Sequence, residues 1–167
     1  MSECSILQIE DAMIQKLKEL FRDELFQRKD GEKVLINIFN NFIPMKNYQE
    51  KVKEKKESED DIPFILLRYK SDQQTLREGR YDSFIDFEMI VGVYEESSVG
   101  HRQALKIVDK IKKEFMEFSN NKNFSIRQDY FKTSFLEEES GGYYWFVKSE
   151  FSTYNGYYSS EIACEEA

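Results

Sequence analysis

The sequence predicts an α+β domain: a two-layer sandwich whose mostly antiparallel or mixed sheet of four to five strands carries two amphipathic helices on one face. Three observations lead there. Ser83 to Tyr94 alternates, with Ile85, Phe87, Met89, Val91 and Val93 on one face and Asp86 and Glu88 on the other. Ile62-Pro63-Phe64-Ile65-Leu66-Leu67-Arg68-Tyr69 is nearly continuous in apolar residues, as a strand covered on both faces would be. Two further segments carry apolar residues at three- and four-residue spacing, the period of a helix with one buried face.

The first of these opens at Ser5-Ile6-Leu7-Gln8, which has the Ser-x-x-Gln form of a capping box. Ile9, Met13, Leu17, Leu20, Phe21 and Leu25 then recur at helical spacing, and the helix is expected to close near Asp30-Gly31. Glu10 and Asp11 would lie in its first turn, and Arg28 and Lys29 in its last, both favourable to the helix dipole. Lys33 to Phe42 is rich in β-branched and aromatic residues and is stopped by Pro44. From Lys46 to Asp61 the chain is a Lys/Glu/Asp tract with hardly an apolar residue. It reads as a solvated loop or frayed helix, with a flexible arm ordering on a neighbouring subunit as the functional alternative.

Ser71 to Arg80 reads as a polar loop joining two antiparallel strands, its tip projecting from the body. Gly100-His101-Arg102 opens the second helix, with Ala104, Val108, Ile111, Phe115 and Phe118 on its apolar face; it should end around Ser119-Asn120-Asn121. Phe124 to Gln128 is a candidate short strand. Tyr143 to Thr153 is the last, with Tyr143, Trp145, Val147 and Phe151 opposite Lys148 and Glu150. The expected order is α-β-β-β-α-β-β in one domain over residues 1–153, followed by a Tyr-containing tail over 154–167. The long Phe84–Tyr94 strand poses an edge question: either a loop or the Tyr154–Tyr158 tail covers it, or copies of the chain join through it.

Composition bounds the function. The chain has 167 residues, enough for one domain with a real core, and a net charge of −8. That charge argues against a general phosphate-gripping surface. Cys4 and Cys164 lack metal-ligand spacing and read as two reduced thiols. No apolar run approaches the ~20 residues that span a bilayer, so no membrane association is expected, and a cytoplasmic protein is.

Catalytic readings fare poorly. His101 is the only histidine and sits at a helix start, where a turn or capping role is simpler. Gly141-Gly142 lacks the Lys-Ser/Thr and helix of a phosphate loop. The acidic runs Glu59-Asp60-Asp61, Glu95-Glu96 and Glu137-Glu138-Glu139 fall in expected loops, where clustered acids are solvated. Neither an enzyme activity nor a metal or cofactor is expected. A subtler signal lies on the second helix: Arg102, Lys106, Lys110 and Lys113 line one face, roughly opposite the apolar stripe. A solvated face is the bland account; docking against an acidic partner is the sharper one.

The chain resembles the tail terminator (tail completion) proteins of tailed bacteriophages and phage-tail-like particles. The resemblance is carried by Ile62–Tyr69, by Phe87-Glu88-Met89-Ile90-Val91-Gly92-Val93-Tyr94-Glu95-Glu96, by Gly100-His101-Arg102-Gln103-Ala104-Leu105-Lys106-Ile107-Val108-Asp109-Lys110-Ile111, and by the closing Tyr143-Tyr144-Trp145-Phe146 strand. It covers residues 62–115 well and 6–153 loosely. The resemblance implies a structural protein forming a hexameric ring on the finished tail tube, assembled in a bacterial host's cytoplasm and residing in the virion tail. The ring ends tube growth and offers a surface for head docking or, in contractile tails, sheath anchoring. Its partners would be further copies of itself, the tail tube protein, and a sheath or head–tail connector protein. DNA would pass through the ring without specific binding, and acidic charge would suit that passage. A head–tail adaptor or stopper shares the same subunit logic, and a small protein-binding module using the basic strip is the alternative from another class. The residues expected to carry assembly are Arg68, Tyr69, Arg77, Arg80 and Tyr81 at the hairpin, with Arg102, Lys106, Lys110 and Lys113 on the helix.

Overall fold

A computed structural model describes residues 5–43, 61–97, 99–119, 124–136 and 143–159; the side chains of 77, 80, 81, 118, 119, 128 and 155–159 lie outside that description. So does the charged tract as far as residue 60. The α+β class holds, with two helices and a mixed sheet. The elements are α1 (Ile6–Leu20), β1 (Leu25–Gln27), β2 (Lys33–Leu35), β3 (Asn37–Asn40), β4 (Phe64–Arg77), β5 (Arg80–Tyr94), α2 (His101–Ser119), β6 (Ser125–Phe135) and β7 (Tyr144–Ser159). Five strands form one sheet in the order β3-β4-β5-β7-β6, and β1 and β2 pair as a separate hairpin. Among the described strands only the β3–β4 contact is parallel.

Both halves of the capping box form: Gln8 N–H donates to Ser5 Oγ at 3.2 Å, and Ser5 N–H donates to Gln8 Oε1 at 2.9 Å. Ile9, Met13 and Leu17 are buried, as their spacing requires. The helix is shorter than expected. It stops at Leu20, with Phe21 as its cap, and Leu25 and Phe26 already belong to β1. Gly31, at φ 87°, turns the β1–β2 hairpin and does not close the helix; Asp30 Oδ1 accepts from Glu32 N–H there. Arg28 and Lys29 therefore lie in that turn, and the first turn of α1 holds no acid. Glu10 is instead buried.

The Lys33–Phe42 stretch divides into β2 and β3, and β3 lays Asn37–Asn40 beside Phe64–Leu67. Asn41 then joins three elements. Its backbone is left-handed (φ 66°), a conformation Asn tolerates better than most residues. Its N–H donates to Leu67 O at 2.7 Å, its Oδ1 accepts from Tyr69 N–H at 2.9 Å, and its Nδ2 donates to Glu10 Oε1 at 3.0 Å. The side chain thus continues the ladder where the backbone has turned away, and it satisfies the buried Glu10.

The largest departure from expectation is the hairpin. Ser71 to Arg80 is no loop: β4 runs through Arg77 and β5 begins at Arg80. The turn is only Glu78-Gly79, with φ values of 47° and 77°, the two positive angles of a type I′ turn. Every residue from Lys70 to Leu76 is exposed, so neither face of that stretch is covered. It is a strand held by its backbone ladder, and it forms an arm about 23 Å long at the usual strand rise.

The tail expectation is corrected too. β7 continues to Ser159, pairing Tyr157 with Asp82 and Tyr158 with Tyr81. The Tyr154–Tyr158 segment therefore covers β5, which lies at the centre of the sheet with no free edge. β6 is also longer than Phe124–Gln128, reaching Phe135, but residues 127–130 bulge out between two stretches of pairing with β7.

The core lies between the sheet and both helices. Ile65, Leu67, Ile85, Phe87, Met89, Val91, Val147 and Phe151 pack against Ile9, Met13 and Leu17 of α1 and Ala104, Val108, Ile111 and Phe115 of α2. Phe151 sits among Phe87, Phe131 and Phe115, at ring-centroid distances of 5.8, 5.3 and 6.1 Å. The far face of the sheet is not uniformly polar. Ile62, Phe64, Leu66 and Tyr94 form a second cluster there, with Phe39 and Phe146 against it. Gly92 lies beneath: a Cβ on it would meet the Phe64 ring at 2.5 Å and the Phe146 ring at 3.0 Å. Gly92→Val should displace both rings and cost about 1–3 kcal/mol of stability. A urea unfolding curve with an unchanged midpoint would contradict this packing account.

Candidate functional site

The residues expected to carry assembly fall into three places. On the face of the sheet away from the helices, Arg68 Nε donates to the Asn41 carbonyl at 3.3 Å, and Arg68 Nη1 lies 3.6 Å from Glu88 Oε2. Lys70 and Lys148 approach the same carboxylate at 3.6 Å each. Glu88 is only 7% exposed, so this negative charge is neutralised from three sides. Lys148 also lies 3.4 Å from Glu150 Oε1, and Glu150 first, then Glu88, holds its ammonium above the ordinary lysine range. Arg68 is therefore partly committed to the fold. Lys70 was not singled out from the sequence, because it falls at the register shift in β4, and Lys148 was placed there only on the polar face of the last strand.

Tyr69 donates its hydroxyl to Asp72 Oδ1, and that hydrogen bond is the main reason its phenol is pushed up from the ordinary value. Its ring meets Phe87 edge-on at 6.4 Å. Tyr69 thus lies at the root of the arm and belongs partly to the core. Arg77 and Arg80 are paired positions flanking the turn at the arm's tip, and Tyr81 pairs with Leu76 and Tyr158. The side chains of all three lie outside the described residues.

On the other side of the molecule, α2 forms one wall of a groove of about 810 Å³. Arg102, Lys106 and Lys110 line it; Lys113 does not. Its apolar part comes from Phe21 and Phe26, buried residues from the end of α1 and from β1, together with Ile107 and Val99. The basic strip flanks the apolar stripe more closely than its spacing suggested. Lys110 Nζ stands 4.9 Å over the Phe21 ring and pairs with Glu24 at 2.9 Å. Glu95 also lines the groove, and its Oε1 accepts from Ser97 N–H at 3.4 Å. Arg102 and Lys106 are exposed and have no ion-pair partner among the described residues. Sequence reasoning missed the groove because Phe21 and Phe26 are remote from α2 in the chain and were assigned to one long helix.

His101 lies between Trp145 and Phe135, with ring centroids at 5.8 and 6.0 Å. Gly100 precedes it under the indole, where a Cβ would stand 2.2 Å from Trp145 Nε1. The indole donates to the Glu95 carbonyl at 3.2 Å. His101 is thus part of an aromatic brace that fixes the start of α2. Among the described residues no group of His, Cys, Asp and Glu is placed to hold a metal ion. No described helix is long and apolar enough to cross a membrane. The chain matches no family model and no curated protein.

Proposed function

We propose that the chain is a ring-forming structural subunit of a phage tail or a phage-derived tail, acting as a tail terminator. The observation that carries the reading is the exposed far half of β4, laddered to β5. Seven consecutive residues from Lys70 to Leu76 are exposed on both faces, on a strand whose outer edge β3 covers only from Phe64 to Leu67. A strand this long with no core on either side contributes little to its own domain, and unpaired backbone groups along it favour contact with another chain. The body behind it is rigid, tied by a sheet core and by the α1–α2 ion pair of Lys16 with Glu114 at 3.6 Å. A rigid body with a projecting arm suits a closed ring built from head-to-tail contacts. The likeness of residues 62–115 to tail terminators supports the same conclusion, and the hexameric state, the seat on the tube and the head- or sheath-facing role come from that likeness.

The test is electron microscopy of the purified chain with the tail tubes of the same particle, beside the chain alone. The expected result is a six-fold ring at one end of tubes of uniform length. A ring found instead between connector and terminator would make the chain a neck adaptor. A chain that never touches the tube would leave the small binding module as the better reading.

A further inference from the structure

We propose that the groove on α2 receives the acidic segment Glu161-Ile162-Ala163-Cys164-Glu165-Glu166 of a neighbouring copy; this names the contact that would close the ring and so rests on the functional reading above. The chemistry of the two sides matches. The groove has an apolar floor at Phe21, Phe26 and Ile107 and two exposed cations, Arg102 and Lys106, on its wall; of its two carboxylates, Glu24 is paired with Lys110 and Glu95 accepts from Ser97 N–H. The segment carries three carboxylates around one branched apolar residue, Ile162. It lies outside the described residues, but its point of departure is fixed. Ser159, the last residue of β7, pairs with Arg80 at the tip of the arm.

Reach decides that the contact is between copies. The groove borders Glu95, just past the other end of β5. The 15 residues of β5 separate tip from groove by roughly 50 Å at the rise of a strand. Residues 160–166, fully extended, cover at most about 25 Å. The segment cannot enter its own groove, and a copy whose groove lies beyond the arm tip can take it. Such a contact uses different surfaces on its two sides, and repeated with rotation it generates a ring.

The test uses the full chain carrying Glu161→Lys, Glu165→Lys and Glu166→Lys, which leaves the groove without its own ligand. A labelled, amidated peptide of the native sequence Ser159–Ala167 is titrated onto it. Saturable binding that weakens with salt is expected, and it should weaken by about tenfold when Arg102→Glu and Lys106→Glu are added. Absent binding, or equal binding to both receptors, overturns the proposal. In the tube assay, Arg102→Glu with Lys106→Glu should abolish rings, and combining these with the three lysine substitutions should restore them. If the native chain caps tubes and the groove variant caps them equally, the contact is wrong and the terminator reading stands. If the peptide behaves as expected but the native chain caps no tube, the contact stands and the terminator reading is wrong.

Discussion

Phe151→Ala is expected to destabilise the fold by about 3–5 kcal/mol, enough to unfold a large fraction of a protein of ordinary stability. Phe151 is fully buried near the middle of β7. It stacks between Phe87 of β5 and Phe131 of β6 and meets Phe115 of α2 edge-on. Truncation removes the transfer energy of the ring and leaves a cavity that four elements border. Those elements are a central strand, its two neighbours on one side and a helix already seated on the sheet, so collapse onto the void is limited. Phe151→Leu, which keeps most of the volume, should cost less than half as much. The measurement is the midpoint and slope of guanidinium unfolding. Equal losses for the two variants would mean that retained bulk recovers nothing and that the aromatic contacts carry the whole effect.

Asn41→Ala is expected to cost about 2–4 kcal/mol, from two separable sources. The first is conformational: alanine pays a penalty at φ 66° that glycine avoids. The second is the loss of an acceptor for Tyr69 N–H and of a donor to the buried Glu10. Asn41→Gly removes only the second part, so it should fall about 1 kcal/mol short of the alanine variant. Glu10→Gln should be mild, because its amide oxygen still accepts from Asn41. If the alanine and glycine variants were equally unstable, the left-handed backbone would be irrelevant. If glycine matched the native chain, the side-chain bonds would be.

The parts of this fold that bury one face were legible from sequence, and the parts that bury neither were not. The alternation from Ile85 to Val93 marked β5, and the continuous run at Ile62 marked a strand with apolar contacts on both sides. Residues 71–76 carry no alternation because no layer covers them, so strand and loop look alike there. Residues 132–135 of β6 escaped for the same reason, since they too are exposed. The first helix was read too long because Phe21 and Leu25 continue its apolar spacing. Phe21 does stay in the core, but Leu25 turns out to solvent on β1, at 56% exposure. Of the residues expected to carry assembly, Arg102, Lys106 and Lys110 line one groove while Lys113 does not, and the apolar half of that groove comes from a chain segment about eighty residues away. Asn41 gave no periodic signal, since its role depends on a single backbone angle.

The bulge in β6 bears on how the sheet resists pairing with other copies of itself along its margin. A five-stranded sheet has two margins, and here β3 and the far half of β4 form one while β6 forms the other. On β6 the four residues 127–130 stand opposite a single step of β7, clipped by the Arg127–Asp129 pair at 2.8 Å. A foreign strand laid along that margin would lose step within a few residues. Sheets can therefore not join margin to margin without limit, as in a fibril, because β6 is interrupted on one margin and β4 shifts register between Tyr69 and Ser71 on the other. At high protein concentration, growth by strand addition is interrupted at both margins.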